Sequence, residues 1–439
     1  MKKSGLIVGL TWLFAIVFLH QIGRSDFLTF WCIYTTAFIT YFWLLFAGKR
    51  IDFKTGLVLA FVARIISLFF EPHLSDDYFR FIWDGMVSHS GIHPMAYTPL
   101  YLVQHPEIIQ ADMHLFSMLN SKAYYSVYPP VAQWIFSFSY WINGLHVGGH
   151  ILFIKFLLIA TDAVILFFLS RLLKHKSLPE HHALWYALNP LIILEYTGNL
   201  HMDGLMIAGL LGAVWLSQKK AVAWSIAAMV ISISSKLLTL MLIPFMPRDM
   251  YWKKMIFFGT FSLFGAILLF KIYFGSHTAW TQSVSLWFSS FEFNASIYYL
   301  VRTLGFWMRG YNAIDTIGPM MALLSIIGIG VIWVRYIQRK IEDWSLAMLM
   351  VMTIYFFMST TVHPWYLGLV LILGILSQRI YPVIWTFLVV LSYSHYASGR
   401  FEENYGLIIT EYVLLCAWMV FEWRWRARTR MIYTRRAAV

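Results

Sequence analysis

Apolar stretches of roughly 15–22 residues, divided by short polar connections, recur along the whole chain. That is about the length a helix needs to cross the hydrocarbon core of a bilayer. Apolar residues surround these stretches on all sides instead of forming a single stripe, the pattern of a segment buried in lipid or in a bundle core. The pattern predicts twelve spans, at roughly 5–22, 27–47, 56–70, 151–173, 183–197, 201–217, 254–274, 312–334, 344–361, 364–377, 381–397 and 405–422. The opening stretch MKKSGLIVGLTWLFAIVFLH starts basic but has no small-residue cleavage site, so it reads as the first span and not as a removable signal. Two apolar segments resist a simple crossing. VYPPVAQWIFSFSYWINGL (127–145) reads as a re-entrant or interfacial helix opened by Pro129 and Pro130. AVAWSIAAMVISISSKLLTLMLIPFMP (221–247) carries Lys236 near its middle and reads as two half-helices turning back inside the membrane, where broken backbone is tolerated only against a cavity. No linker, low-complexity tract or internal repeat divides the chain, so a single integral domain is expected.

Composition agrees with this class: 60% hydrophobic, 12% charged and a mean hydropathy of +0.66 are too apolar for a soluble domain of 439 residues. The net charge of +12 is no nucleic-acid footprint, because the basic residues concentrate in alternate short connections. These are Lys2/Lys3, Lys49/Arg50/Lys54, Arg171/Lys174/Lys176, Lys219/Lys220, Arg248/Lys253/Lys254, Arg335/Arg339/Lys340, Arg379 and the tail 423–439. Basic connections face the cytoplasm. Both termini are therefore placed there, in a cytoplasmic (inner) cell membrane, with residues 71–126, Asn199–Asp203, 275–311, His363–Tyr366 and 400–404 on the outer face. Cys32 and Cys416 both lie in apolar segments and suggest neither a disulfide framework nor a thiol metal site.

Against this background residues 71–97, EPHLSDDYFRFIWDGMVSHSGIHPMAY, crowd Glu71, Asp76, Asp77, Arg80 and Asp84 into fourteen positions. As a helix, Asp77, Arg80, Asp84 and Ser88 share one face, and Tyr78, Phe81, Ile82, Gly85 and Met86 take the other. An amphipathic helix lying on the outer surface is expected, N-capped by Ser75, with a second such segment in EIIQADMHLFSML (107–119). On the plainest reading the charges of this helix are simply solvated. On the chemical reading, a carboxylate at the membrane boundary serves as general base toward a hydroxyl. Consecutive residues, with Cα atoms about 3.8 Å apart, cannot flank a glycosidic bond as an acid–base pair, which needs about 5–9.5 Å. Transfer from a phosphate leaving group needs one base and a positive charge to meet the departing phosphate.

SDDYFRFIWDG (75–85) followed by SGIHPMAY (90–97) resembles the first outer loop of polyprenyl-phosphate-dependent glycosyltransferases of the C superfold, in the bacterial mannosyltransferase-like branch. YPPVAQ (128–133), NP…EYTGNLHMDGL (189–205), SSKLLTLMLIPF (234–245), FNASIYYLVR (293–302) and HPWYLGLVLIL (363–373) are similar to segments of that branch and stand in its order. Phe81 stands where Tyr is common, and an extra apolar hairpin, 1–47, precedes the motif. The resemblance implies an all-α polytopic bundle of about twelve spans with amphipathic helices in the first large outer loop. It also implies inverting transfer of a hexose, mannose in this branch, from a polyprenyl phosphate to a lipid-linked glycan, a glycolipid or a surface glycan on the non-cytoplasmic side. A first-loop Asp serves as base, a role that falls on Asp76 or Asp77, and the spacing does not rank them.

Other residues join this picture, each with a plainer alternative. Arg80 steadies the aspartates or binds phosphate. Lys236, expensive to bury unpaired, holds the donor phosphate or snorkels to the interface. His363 offers a ring N–H to phosphate beside the aromatic faces of Trp365 and Tyr366, although such residues also populate interface belts. Asp84, Glu195, His201 and Asp203, with Trp365 and Tyr366, shape a sugar or acceptor pocket or form ordinary polar turns. Asp162, in mid-span, pairs with Arg64 or Lys155. Asp76, Asp77 and Asp84 with His73, His89 or His93 are suitable donors for a divalent cation, but their spacing matches no ligand motif, and no metal or cofactor is predicted. The rival functions are a secondary transporter using Asp162, Glu195 and Lys236, which calls for internal repeats, and a lipid-linked glycan flippase.

Overall fold

The computed structural model describes residues 3–46, 51–247, 252–274, 291–397 and 402–437. Lys2, Lys49, Arg50, Arg248 and residues 275–290 of the expected outer loop lie outside these. Among the described residues the structure is helical nearly throughout, with one isolated β-bridge, Phe293 to Thr361.

The N-terminal hairpin is α1 (Lys3–Leu19) and α2 (Phe27–Phe46), followed by α3 (Phe53–Ile66). The first large loop carries α4 (Asp77–His89), α5 (Pro99–Gln104), α6 (Met113–Met118) and α7 (Pro130–Asn143). Then come α8 (Val147–His175), the short α9 (Leu184–Ala187) and α10 (Pro190–Ile192), α11 (Asp203–Gln218), α12 (Val222–Ser235) and α13 (Trp252–Phe274). The last six are α14 (Ile297–Arg309), α15 (Ile314–Ile337), α16 (Trp344–Met358), α17 (Leu367–Leu376), α18 (Tyr381–Leu388) and α19 (Tyr405–Ala437). Of these, α2, α8, α15, residues 256–273 of α13 and residues 405–427 of α19 are long and apolar enough to cross a membrane. Residues 190–198 and α11 form a sixth candidate bent by 112°. Residues 5–19, α12, α16 and residues 364–376 are apolar but shorter. This is a multi-pass membrane protein.

The centre of the bundle is α17, whose ten residues, Leu, Ile, Val and Gly only, are all buried. Apolar on every side, it packs against α8, α9, α11, α16 and α18, and so fixes His363–Tyr366 at its N-terminal end. Gly368 is required there: a Cβ would lie 1.8 Å from the Tyr196 hydroxyl. Buried Arg64 donates to Asp162 at 2.6 Å and to the Ala187 carbonyl at 2.7 Å, and Tyr186 donates to Asp162 at 2.5 Å. Lys155 instead donates to the carbonyls of Ser67 and Phe70, both at 2.6 Å, bracing the end of α3.

The segment 221–247 is a helix, a break and a tight 3-10 stretch (237–245). α12 rises about 21 Å from Lys219 and Lys220. The backbone turns extended at Lys236, and the chain runs back far enough for the Met246 carbonyl to accept from Tyr336, in the last turn of α15. Lys236 therefore sits at the turn between α12 and the 3-10 stretch.

The first loop differs from the surface arrangement anticipated for it. α4 is not laid on a surface with its charges in water: every residue from Tyr78 to Val87 is buried. Its apolar face packs on α7, Phe81 stacking on Phe136 at 4.4 Å, and Gly85 permits the approach, since a Cβ would lie 2.5 Å from the Phe136 carbonyl oxygen. Its polar face is satisfied internally. Arg80 donates to Asp84 (2.8 Å) and to the carbonyls of Ser121 (3.1 Å) and Tyr124 (3.0 Å). Asp84 also accepts from Ser126 and from Gln133 (2.8 Å). A hydrogen-bonded ion pair of this kind lets a charged face turn inward. The N-cap residue is Asp76, and Ser75 Oγ accepts from the Asp77 N–H at 3.3 Å. The second predicted interfacial helix shrinks to α6, started by Asp112 accepting from the Leu115 N–H at 2.7 Å.

Candidate active site

One end of the bundle gathers most of the polar residues singled out in the sequence. The key junction is the 112° bend before α11, where Leu200 adopts φ 64°. Asn199, at the bend, accepts from the N–H groups of His73 (3.2 Å) and Leu74 (3.0 Å) and donates to the Leu194 carbonyl at 2.9 Å. This amide ties the approach to Asp76–Asp77 to the start of α11, and hence to Asp203.

Asp203 occupies the first turn of α11 and Lys236 the last residue beyond α12, each at the helix end whose partial charge favours it. Lys236 Nζ donates to Asp203 Oδ1 at 2.6 Å and lies 3.8 Å from the centre of the Tyr366 ring, a cation–π contact. The lysine side chain remains 28% exposed, so its partners do not close it off from a ligand. Asp77 and Asp203 are both within electrostatic reach of the Tyr366 hydroxyl. Asp77 also reaches Tyr128 and Tyr396. Thus Lys236 sits on Tyr366, a ring whose hydroxyl also feels the charge of the first-loop Asp77.

Asp76 and Asp77 are held differently. Arg24 donates to Asp76 Oδ2 at 2.5 Å and lies 4.9 Å from the centre of the Tyr396 ring. Asn120 donates to Asp77 Oδ1 at 2.9 Å. Behind them Glu195, fully buried, accepts from Tyr393 at 2.5 Å and stands 3.0 Å from His201 Nδ1. That nitrogen is also 3.0 Å from the Glu195 carbonyl, which assigns it the proton. His201 stacks on Trp365 at 3.7 Å, and Trp365 stacks with His363 at 4.3 Å. The Trp365 ring is therefore engaged by imidazoles. Desolvation, with Lys236 and two other histidines near, pushes the His363 imidazole well below the usual histidine range. It is neutral at pH 7, an N–H donor at most and not a cationic phosphate clamp. Arg80 spends its donors on Asp84 and on first-loop oxygens, with Nη2 buried and unpartnered among the described residues. Arg80 and Asp84 thus hold the loop, whereas Asp76, Asp77, Lys236 and Tyr366 are part-exposed and Asp203 lies buried behind Lys236. Among the described residues no group of three His, Cys, Asp or Glu stands ready to hold a metal ion.

Sequence reasoning missed Arg24, Asn120 and Asn199. Arg24 did leave a signal: it is a basic residue in the connection 22–27, which the charge rule assigns to the far side. The amides left none, because their roles depend on contacts 43 and more than 120 residues away.

Residues 11–251 match the family model described as "MptA_B_family: Alpha-(1->6)-mannopyranosyltransferase, N-terminal domain". The match starts within α1 and so takes in most of the N-terminal hairpin, along with Asp76, Asp77, Asp203 and Lys236. No curated protein and no solved structure matches the chain.

Proposed function

The chain belongs to the alpha-(1->6)-mannopyranosyltransferase family, a family of membrane glycosyltransferases that move mannose from a sugar donor to a glycan acceptor, and we propose that its donor is mannosyl phosphoryl polyprenol. The observation that carries this reading is a part-exposed ammonium, Lys236, seated on the ring of Tyr366, whose hydroxyl is within electrostatic reach of the first-loop Asp77. A base is needed for the acceptor hydroxyl and a cation for the phosphate left behind. An aspartate of the pair Asp76–Asp77 takes the hydroxyl proton, the hydroxyl oxygen attacks the anomeric carbon in line, and the configuration inverts. Lys236 meets the charge growing on the phosphate, and neutral His363 adds an N–H. The apolar, Phe- and Met-rich flanks suit a prenyl tail. The acceptor is a lipid-linked, glycolipid or surface glycan, with part-exposed Trp365 and Tyr366 at the sugar and the buried Glu195, His201 and Asp203 backing them. The basic connections at the opposite end of the bundle support a site on the non-cytoplasmic face with both termini cytoplasmic.

The experiment is transfer of labelled mannose from mannosyl phosphoryl polyprenol to membrane glycolipid acceptors by the Asp76→Asn/Asp77→Asn double variant. Transfer is expected to fall by about 10²–10⁴-fold. Full transfer by the double variant refutes the reading.

A further inference from the structure

The geometry points to Asp77 as the carboxylate that takes the acceptor proton, and to Arg24 and Asp76 as a positioning pair that sets the first loop against the bundle. This rests on the lipid-phosphate transfer proposed above. The two carboxylates are consecutive, and among the described residues each has one oxygen engaged and one without a partner; Asp76 is held by a cation and Asp77 by a neutral amide. Asp76 Oδ2 receives Arg24 Nη2 at 2.5 Å, and Arg24 lies in turn over Tyr396. The chain Tyr396–Arg24–Asp76 therefore joins the 389–396 stretch, the α1–α2 connection and the start of α4. The charge of Asp76 is thereby committed to a charge-assisted hydrogen bond between groups only 30% and 41% exposed, which ties it to the scaffold while its Oδ1 has no partner among the described residues.

Asp77 is fixed by neutral groups alone. Its Oδ1 accepts from the neutral Asn120 amide at 2.9 Å, its main-chain N–H donates to Ser75 Oγ, and its Oδ2 has no partner among the described residues. A general base toward a hydroxyl needs a set direction and an open lone pair. The groups in electrostatic reach of Asp77 come from three elements: Tyr128 ahead of α7, Tyr366 at the head of α17 and Tyr396. Lys236 sits on Tyr366. Asp76 reaches Tyr78 and, like Asp77, Tyr396. In the step itself, Asp77 Oδ2 gains the hydroxyl proton as the hydroxyl oxygen bonds to the anomeric carbon. The anomeric C–O bond to phosphate breaks, and its electron pair leaves on polyprenyl phosphate, whose added negative charge faces Lys236. The proton then passes from Asp77 to water.

The test compares Asp77→Ala, Asp76→Ala and Arg24→Gln, purified and supplied with mannosyl phosphoryl polyprenol, with and without formate. Asp77→Ala is expected to lose about 10³-fold in kcat with KM nearly unchanged, and formate, a diffusible carboxylate filling the gap, to restore at least about tenfold. Asp76→Ala and Arg24→Gln are each expected to lose about tenfold, the double variant no more than either, because one pair is being broken twice. Formate does nothing for them. Asp77→Asn, which keeps an oxygen for Asn120, carries the same expectation of lost kcat and covers the case in which Asp77→Ala does not fold. A deeper loss and formate rescue at Asp76→Ala overturn the assignment to Asp77 alone. Full rates in both alanine variants overturn the lipid-phosphate reading as well.

Discussion

Lys236→Met is expected to lower mannosyl transfer by about 10²–10³-fold in kcat, the magnitude seen when one stabiliser of developing charge is removed from a water-poor site. Lys236 stands at the turning point of a broken helix, on the Tyr366 ring, with its ion-pair partner Asp203 at 2.6 Å and 28% of its side chain still open. A lysine that served only to neutralise Asp203 would be dispensable once that carboxylate was removed too. Lys236→Met/Asp203→Asn therefore separates the two roles. It is expected to recover the thermal stability lost in the single variant, because no carboxylate is left buried and unpaired, while transfer stays at the level of Lys236→Met. Transfer recovering with stability assigns the lysine a structural role.

Asp84→Ala is expected to destabilise the protein by about 3–5 kcal/mol, since it strands the Arg80 guanidinium inside the first loop. Asp84 is fully buried and accepts from Arg80, Ser126 and Gln133. The damage should fall on the docking of α4 against α7, read as a lowered melting temperature in detergent. Asp84→Asn keeps an acceptor for Arg80 and is expected to lose less. Replacing both partners, Arg80→Met/Asp84→Leu, is expected to be less destabilising than Asp84→Ala alone, because a buried pair exchanged for apolar groups leaves no orphaned charge. A double variant as unstable as the single would show that the pair holds the loop by more than mutual neutralisation.

These two residues show where the sequence was legible. The membrane class, the helical bundle and the break at Lys236 followed from hydropathy and from one misplaced charge, which are local properties. The aspartate pair stood out because acidic residues are scarce in such a chain. What the pattern misjudged was the environment of α4. Asp77, Arg80, Asp84 and Ser88 do share a face, and a charged face normally predicts water. Here it is buried because Ser121, Tyr124, Ser126 and Gln133 arrive from 41–49 residues further on to complete the hydrogen bonds, and no periodicity within α4 encodes their arrival. Glu195 and His201 illustrate the same limit. Their spacing across the 112° bend brings them together, and Tyr393, almost 200 residues on, supplies the donor that lets Glu195 be buried. The mid-span Asp162 was readable because a membrane-buried carboxylate demands a cation, and only Arg64 and Lys155 were at hand.

Donor choice tests the account most directly. Purified protein reconstituted in liposomes with a glycolipid acceptor is offered labelled mannose either as mannosyl phosphoryl polyprenol or as a nucleotide-diphosphate sugar. Product is predicted from the lipid donor alone, one polyprenyl phosphate released for each mannose transferred and the anomeric configuration inverted. Product formed from the nucleotide sugar in the absence of the lipid would contradict it.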